Sequence, residues 1–184
     1  MKILLASGSP RRQSLLNSFG FDVAVTVPDF DESQVKSESP EQLVTALASG
    51  KLESVVRGDA LTLAADTVVV QGNKVLGKPK DEAEAFSMLR ALSGNEHYVY
   101  TGVCIALGDK VSCFYEKSTV TFHKLSDKQI TNYIATGSPM DKAGAYGIQD
   151  DVAISFIKYV EGEISNVIGL PMGRVISEIE RITK

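Results

Sequence analysis

The sequence predicts an α/β fold built on a mixed β-sheet with flanking helices, and three observations carry that prediction. Apolar runs of strand length (Lys2–Ala6, Leu61–Val70, Tyr98–Leu107 and Val111–Phe122) alternate with segments whose apolar residues recur at helical spacing. Most of the helical segments open on a capping residue or proline, and some close on a glycine. Two of the strand runs turn back on themselves through short glycine-led turns, Gly72-Asn73 and Gly108-Asp109. Alternation alone would give a parallel sheet; the embedded hairpins make it mixed.

Lys2–Ala6 reads as a buried first strand. Ser9-Pro10 then supplies an N-cap and a first helical residue, with Leu15, Leu16 and Phe19 on one face and Gly20 as the stop. A second helix opens at Ser39-Pro40, where Ser39 and Gln42 have capping-box spacing, and Val44, Leu47, Ala48 and Val55 form its stripe. Leu61–Val70 turns at Gly72-Asn73 into a short strand, Lys74–Leu76. A third helix starts near Asp81, with Glu84 three residues on and Phe86, Leu89 and Leu92 facing inward. After the two long strands, Ser126 and Gln129 cap a fourth helix through Ile130, Tyr133 and Ile134, ended by Gly137. Val152–Val160 reads as another strand, and Pro171 opens a last helix through Val175, Ile176, Ile179 and Ile182. No repeat and no linker marks a boundary, so residues 1–184 read as a single domain.

Composition narrows the function. Hydrophobic residues make up 43% and charged residues 23%, enough apolar material for a packed core. The net charge of −4 and pI near 5.2 argue against a nucleic-acid-binding surface. The start, "MKILLASGSPRR", has only Ile3 to Ala6 as an apolar run before two arginines. A secretory signal needs about 7–15 apolar residues and a membrane span about 18 or more, so the chain reads as cytoplasmic and free of membrane segments. The two cysteines and two histidines show no CxxC, HxxxH or HExxH spacing, which speaks against zinc. Cys104 and Cys113 flank the Gly108-Asp109 turn and face each other across the ladder; in a cytosolic protein the expectation is two reduced, partly buried thiols.

The stretch "GNKVLGKP" (72–79) has the glycine spacing of a phosphate-binding loop, with Lys78 after the second glycine. Such a loop needs a Ser or Thr after the lysine and opens into a helix. Here Pro79 holds that place and the first glycine sits in a hairpin turn, so the match is a coincidence of glycines. The segment "SGSPRR" is better chemistry. A strand, a small-residue turn and a helix N-terminus offer backbone N–H groups to an anion. Ser7 and Ser9 add hydroxyls, and Arg11 and Arg12 add guanidiniums; the alternative is that both arginines are solvated surface residues.

Asp66 lies in the apolar run "LTLAADTVVV", where an unpaired carboxylate is costly to bury. It either points out at the strand's end or holds a cation, as a metal-binding or water-activating carboxylate would. Lys51 falls in the middle of the stripe Val44–Leu47–Ala48–Val55, so it snorkels out or reaches a buried anion. Glu32, in "DFDES", is a candidate second carboxylate or an ordinary loop residue. "SPMDKAGAYGIQ" (138–149) is too polar and glycine-rich for a core strand and suits a close-packed ligand loop carrying Lys142. The carboxamide of Gln149 can match the adjacent N–H and C=O of a uracil or thymine edge; guanine shows a similar pair, so the glutamine alone does not settle the base.

"ASGSPRR", "ADTVV", "GKP" followed by Asp81, "LSG", "TGV", "DKAGAYGIQ" and "VIGLP" stand here in the order found in Maf proteins. The chain therefore resembles these nucleoside-triphosphate pyrophosphatases, which are related in fold to the inosine-triphosphate pyrophosphatases. "DKAGAYGIQ" looks like the branch acting on dTTP and UTP, and not the branch acting on 7-methyl-GTP. One departure is Asp150-Asp151 after Gln149, where relatives typically continue with glycine. The resemblance implies an elongated α/β fold with two lobes around a central cleft, often dimeric, that cleaves between the α- and β-phosphates. It implies Asp66 as proton acceptor and Arg12, Thr67 and Gln149 in substrate selection. Ser7, Arg11, Glu32, Lys51, Lys78 and Asp81 fall where the family's cleft-lining polar residues lie. Mg²⁺ or Mn²⁺ would bridge the triphosphate and acidic residues such as Asp66 and Glu32. The rival readings are a 7-methyl-GTP pyrophosphatase and a nucleotide-binding regulator of cell division without turnover.

Overall fold

The structure is a computed structural model and describes residues 1–55 and 58–184. The described strands form one mixed sheet in the order β2-β1-β3-β5-β6-β7, with β4 paired to β3. The strands are β1 (Lys2–Ala6), β2 (Asp22–Thr26), β3 (Thr62–Gln71), β4 (Lys74–Leu76), β5 (Glu96–Leu107), β6 (Lys110–Phe122) and β7 (Ile157–Glu161). β1 runs parallel to both β2 and β3, whereas β3–β4 and β6–β7 are antiparallel, so the sheet is mixed as the hairpins predict. The helices are α1 (Pro10–Ser18), α2 (Pro40–Glu53), α3 (Glu82–Leu92), α4 (Asp127–Ile134), α5 (Ile164–Ile168) and α6 (Met172–Thr183).

The chain divides into two compact units. The first comprises Met1–Thr67, Thr101–Glu116 and Gly169–Lys184; the second comprises Val68–Tyr100 and Lys117–Ile168. Strands β3, β5 and β6 therefore pass from one unit to the other within their own length.

In the first unit, Ile3, Leu5, Leu63, Val103 and Ile105 of the sheet pack with Leu16 and with Val175 and Ile179 of α6. A second cluster is made of small residues, Ala6, Ala48, Ala64, Cys104 and Ala106, with Leu52. Small side chains let α2 lie close to the sheet. The approach is tightest at Gly102, where an added Cβ would sit 2.2 Å from the Val44 carbonyl oxygen. This contact fixes the height of α2, and with it Lys51.

The second unit is organised around Val69, Leu89, Leu92, Val99, Val120 and Ile130 together with buried aromatic residues. Phe122 stands edge-on to Tyr146, His97 and Phe156, and Tyr133 stands edge-on to Phe156. Such arrangements add to area burial through the ring quadrupoles.

Several elements differ from the sequence reading. β2 is a half-buried edge strand that the sequence reading passed over, although Phe21, Val23, Val25 and Val27 alternate with Asp22, Ala24 and Thr26 as a strand's do. The run Val152–Val160 is a strand only over Ile157–Glu161; Ala153–Phe156 forms a 3₁₀ turn that tucks Phe156 into the core. Phe19 is 53% exposed at the end of α1 and does not share the buried face. The Ser39 hydroxyl accepts from the Gln42 N–H, but the Ser39 N–H bonds to Ser37, so the box is half formed; Ser126 and Gln129 form a complete one. Ser9 makes no side-chain cap. The cysteines are also corrected. The expected register brings the Cα atoms of Cys104 and Cys113 to 4.1 Å, close enough for the disulfide that joins them. Cys104 is buried and Cys113 exposed.

Among the described residues no helix is long and apolar enough to cross a membrane.

Candidate active site

In the first unit the sequence-predicted residues meet in two adjoining networks. Lys51, on the inward side of α2, is buried, and its Nζ lies 2.5 Å from Asp66 Oδ1 and 2.8 Å from Glu32 Oε1. The lysine on the apolar stripe thus answers the aspartate in the apolar strand, and neither charge is buried alone. Glu32 reaches Lys51 from a 3₁₀ turn, Glu32–Gln34, whose Asp31 cap accepts from the Ser33 N–H. Two residues before Glu32, the Phe30 ring lies against Gly50; a Cβ there would fall 2.2 Å from the ring.

Arg12 organises the second network. Its Nε donates to the Gly169 carbonyl at 2.9 Å, Nη1 to Ser7 Oγ at 3.0 Å and Nη2 to Thr67 Oγ1 at 3.0 Å. Thr67 Oγ1 is also 2.9 Å from Thr101 Oγ1. Burial lowers the Arg12 pKa and Arg11 lowers it further, while Asp66 and Glu32 oppose the shift. The guanidinium still carries its charge, because an arginine starts far above neutral pH. Arg12 therefore serves as a fork that gathers three separate segments beside Asp66. The Ser7 hydroxyl also accepts from the Ser9 N–H at 3.2 Å, and Arg11 is half-buried.

The remaining predicted residues lie in the second unit. Lys78 and Asp81 are exposed, and Asp81 accepts from the Glu84 N–H at the start of α3. The loop before Lys78 is tied to the 138–150 segment, since the Gly144 N–H donates to the Gly77 carbonyl at 3.0 Å. Lys142 is buried; its Nζ donates to the Ser138 carbonyl at 2.6 Å and to Asp141 Oδ1 at 2.8 Å. Gln149 is exposed, and its carboxamide has no hydrogen-bond partner among the described residues. It is available to a ligand.

Sequence reasoning missed Thr101 and the Gly169 carbonyl as parts of the Arg12 network and, in the second unit, the bond that the Tyr133 hydroxyl donates to the carboxylate of Asp150. Thr101 and Gly169 stand in the quoted stretches "TGV" and "VIGLP", which is the signal that was there to be read.

The donor set can be tested against a divalent cation. Asp66 and Glu32 direct carboxylate oxygens at one positive group, the Lys51 ammonium. Hard oxygen donors suit Mg²⁺ or Mn²⁺, which bind through one or two carboxylates plus phosphate oxygens. No group of three or more His, Cys, Asp or Glu residues that could cage a metal occurs among the described residues. The residues fit a metal shared with a polyphosphate, and not an all-protein cage.

Residues 2–182 match the family described as Maf-like protein. A dTTP/UTP pyrophosphatase of Geobacillus sp. (strain WCH70) is 46% identical over 183 residues, covering 98% of each chain. A dTTP/UTP pyrophosphatase of Bacillus cereus (strain ATCC 10987 / NRS 248) is 43% identical over 182 residues, covering 98% of this chain and 89% of that one. The structure of the Staphylococcus aureus Ham1 protein is a looser likeness: 17% identity and a TM-score of 0.44, covering 66% of this chain and 72% of that one.

Proposed function

This chain belongs to the Maf family, and we propose that it is a hydrolase that converts dTTP and UTP to the nucleoside monophosphate and pyrophosphate. The observation that carries the reading is the Glu32–Lys51–Asp66 cluster beside the Arg12 fork. A protein that only bound nucleotide would need cations; it would not need a carboxylate held among them. The names of the relatives supply the substrates.

Asp66 is the proton acceptor. It takes a proton from the attacking water as the water oxygen bonds to phosphorus and the α–β bridging P–O bond breaks, releasing pyrophosphate. Asp66 and Glu32 would hold a divalent cation, Mg²⁺ or Mn²⁺, which when bound would offset the triphosphate charge and acidify the water. Lys51, Arg11 and Lys78 offset charge on the triphosphate and the leaving group, with Ser7 and Ser9 adding donors. Arg12 and Thr67 position the nucleotide through their shared hydrogen bond, and Gln149 reads the base edge. Asp81 caps α3, and Lys142 braces the loop that carries Gln149. The family match over residues 2–182 supports reading 1–184 as a single domain. Family membership alone supports a cytoplasmic homodimer acting on free nucleotides, not on nucleic acid.

Product analysis tests the reaction. With dTTP and Mg²⁺, the proposal requires dTMP and pyrophosphate in equal amounts. Formation of dTDP and orthophosphate would reject it.

A further inference from the structure

The segment that carries Gln149 is braced by a polar cluster that the reaction itself does not use. Asp150 Oδ2 accepts from the Tyr133 hydroxyl at 2.5 Å and from Ser138 Oγ at 2.8 Å, and faces Lys142 Nζ at 3.5 Å. The same Tyr133 oxygen accepts from the Gly147 N–H at 3.2 Å, and the Asp150 N–H donates to the Gly147 carbonyl at 3.0 Å. One tyrosine therefore closes the turn 147–150 at both ends. Burial, together with the bond to Asp150, pushes the Tyr133 pKa well above its ordinary value, so the hydroxyl remains a donor.

The turn has no slack. A Cβ on Gly147 would fall 2.6 Å from Lys142 Cε and 3.2 Å from Asp150 Oδ1, so the glycine leaves room for the lysine stem. Ala145, just before it, sits at φ 61°, a left-handed conformation that a residue with a side chain adopts only when its surroundings impose it. Between these fixed points Ile148 is buried and Gln149 projects outward with its carboxamide unengaged.

Where the carboxamide sits matters more than what it is. Uracil, thymine and guanine each offer an adjacent N–H and C=O to a glutamine. The hydrogen-bond pattern does not separate them, but the purine edge lies further from the sugar. A carboxamide held at one depth selects by distance, and a turn already ordered spares the nucleotide the entropy of ordering it.

We propose that Asp150 is a positioning residue for substrate selection: its carboxylate, through Tyr133 and Lys142, fixes the turn 147–150 so that Gln149 meets a pyrimidine edge and misses a purine edge. This rests on the reading of Gln149 given above.

The test compares kcat and KM for dTTP, UTP and GTP in the wild type, Asp150→Ala, Asp150→Asn, Tyr133→Phe, Gln149→Ala and the Asp150→Ala/Gln149→Ala double variant. Asp150→Ala raises KM for dTTP and UTP about ten-fold, with a smaller change in kcat, and narrows the preference over GTP by a similar factor. Asp150→Asn, which keeps an acceptor for Tyr133, restores part of the preference, and Tyr133→Phe loses part of it. In the double variant the preference falls no further than in Gln149→Ala alone. If Asp150→Ala does not fold, Asp150→Asn and Tyr133→Phe carry the comparison. A collapse of preference in Gln149→Ala with none in the Asp150 and Tyr133 variants overturns the proposal and leaves the Gln149 reading standing. Full additivity in the double variant also overturns it. Unchanged preference in Gln149→Ala removes the Gln149 reading and the proposal with it.

Discussion

Lowering the pH should destabilise this protein through a single buried imidazole. His97 is fully buried; its Nε2 lies 2.8 Å from the Tyr146 hydroxyl, and its Nδ1 has no hydrogen-bond partner. Burial depresses its pKa from 6.5 to about 4. The folded state therefore holds the ring neutral, while the unfolded chain binds a proton as soon as pH falls below 6.5. The contribution is fully present above pH 6.5 and is lost as pH falls towards 4. At 1.36 kcal/mol per pH unit, the gap of about 2.5 is worth about 3 kcal/mol in full, and about 2 kcal/mol of it is gone by pH 5. Urea unfolding followed by circular dichroism, at steps from pH 8 to pH 4, measures this against His97→Phe. The variant is less stable at pH 7.5, because the Tyr146 hydroxyl is left unpaired, but lacks this slope. The two curves converge by about 2 kcal/mol between pH 7.5 and pH 5. Parallel curves would refute the reasoning. Tyr146 precedes Gln149 in the same loop, so the protonation would loosen the segment proposed to read the base.

Other expectations follow from particular contacts. Gly102→Ala places a Cβ against the backbone of α2 and costs about 1–3 kcal/mol, read as a lower urea midpoint at unchanged m. Because α2 carries Lys51, the same variant lowers kcat/KM for dTTP; a stable variant with full activity would contradict the close approach. Cys113→Ser opens a disulfide that spans a separation of 9 residues, and the chain-entropy relation gives a loss of about 2–3 kcal/mol by the same unfolding assay. Arg12→Lys keeps the charge but loses the fork to Ser7, Thr67 and Gly169, and should reduce kcat/KM about ten-fold or more. Chelation with EDTA should abolish dTTP hydrolysis, with recovery on adding Mg²⁺ or Mn²⁺; undiminished turnover would remove the metal from the mechanism.

Much of the site was legible because it breaks local rules. Lys51 sits where its helix should be apolar, and Asp66 where its strand should be, and the structure pairs them directly. β1, β3 and the caps of α3 and α4 were readable for the opposite reason: pattern and structure agree there. Contacts made at long range left no local trace. Arg12 bonds the carbonyl of Gly169, 157 positions away, and a carbonyl gives no signal in a sequence. Asp150 was visible only as an oddity after Gln149; its meaning depends on Tyr133, which read as an ordinary core position of α4. β2 carried a readable alternation, Phe21, Val23, Val25 and Val27, over only five strand residues, and was passed over; Val152–Val160 misled because a 3₁₀ turn can bury Ala153 and Phe156 as well as a strand can.

The most direct test is pyrophosphate release from dTTP, UTP, dUTP, CTP, GTP, 7-methyl-GTP and ITP with Mg²⁺ or Mn²⁺, wild type beside Asp66→Asn. The account predicts turnover centred on dTTP and UTP, with a loss of about 100-fold or more in Asp66→Asn while nucleotide binding persists. Turnover centred on 7-methyl-GTP, or an Asp66→Asn enzyme as fast as the wild type, would contradict it.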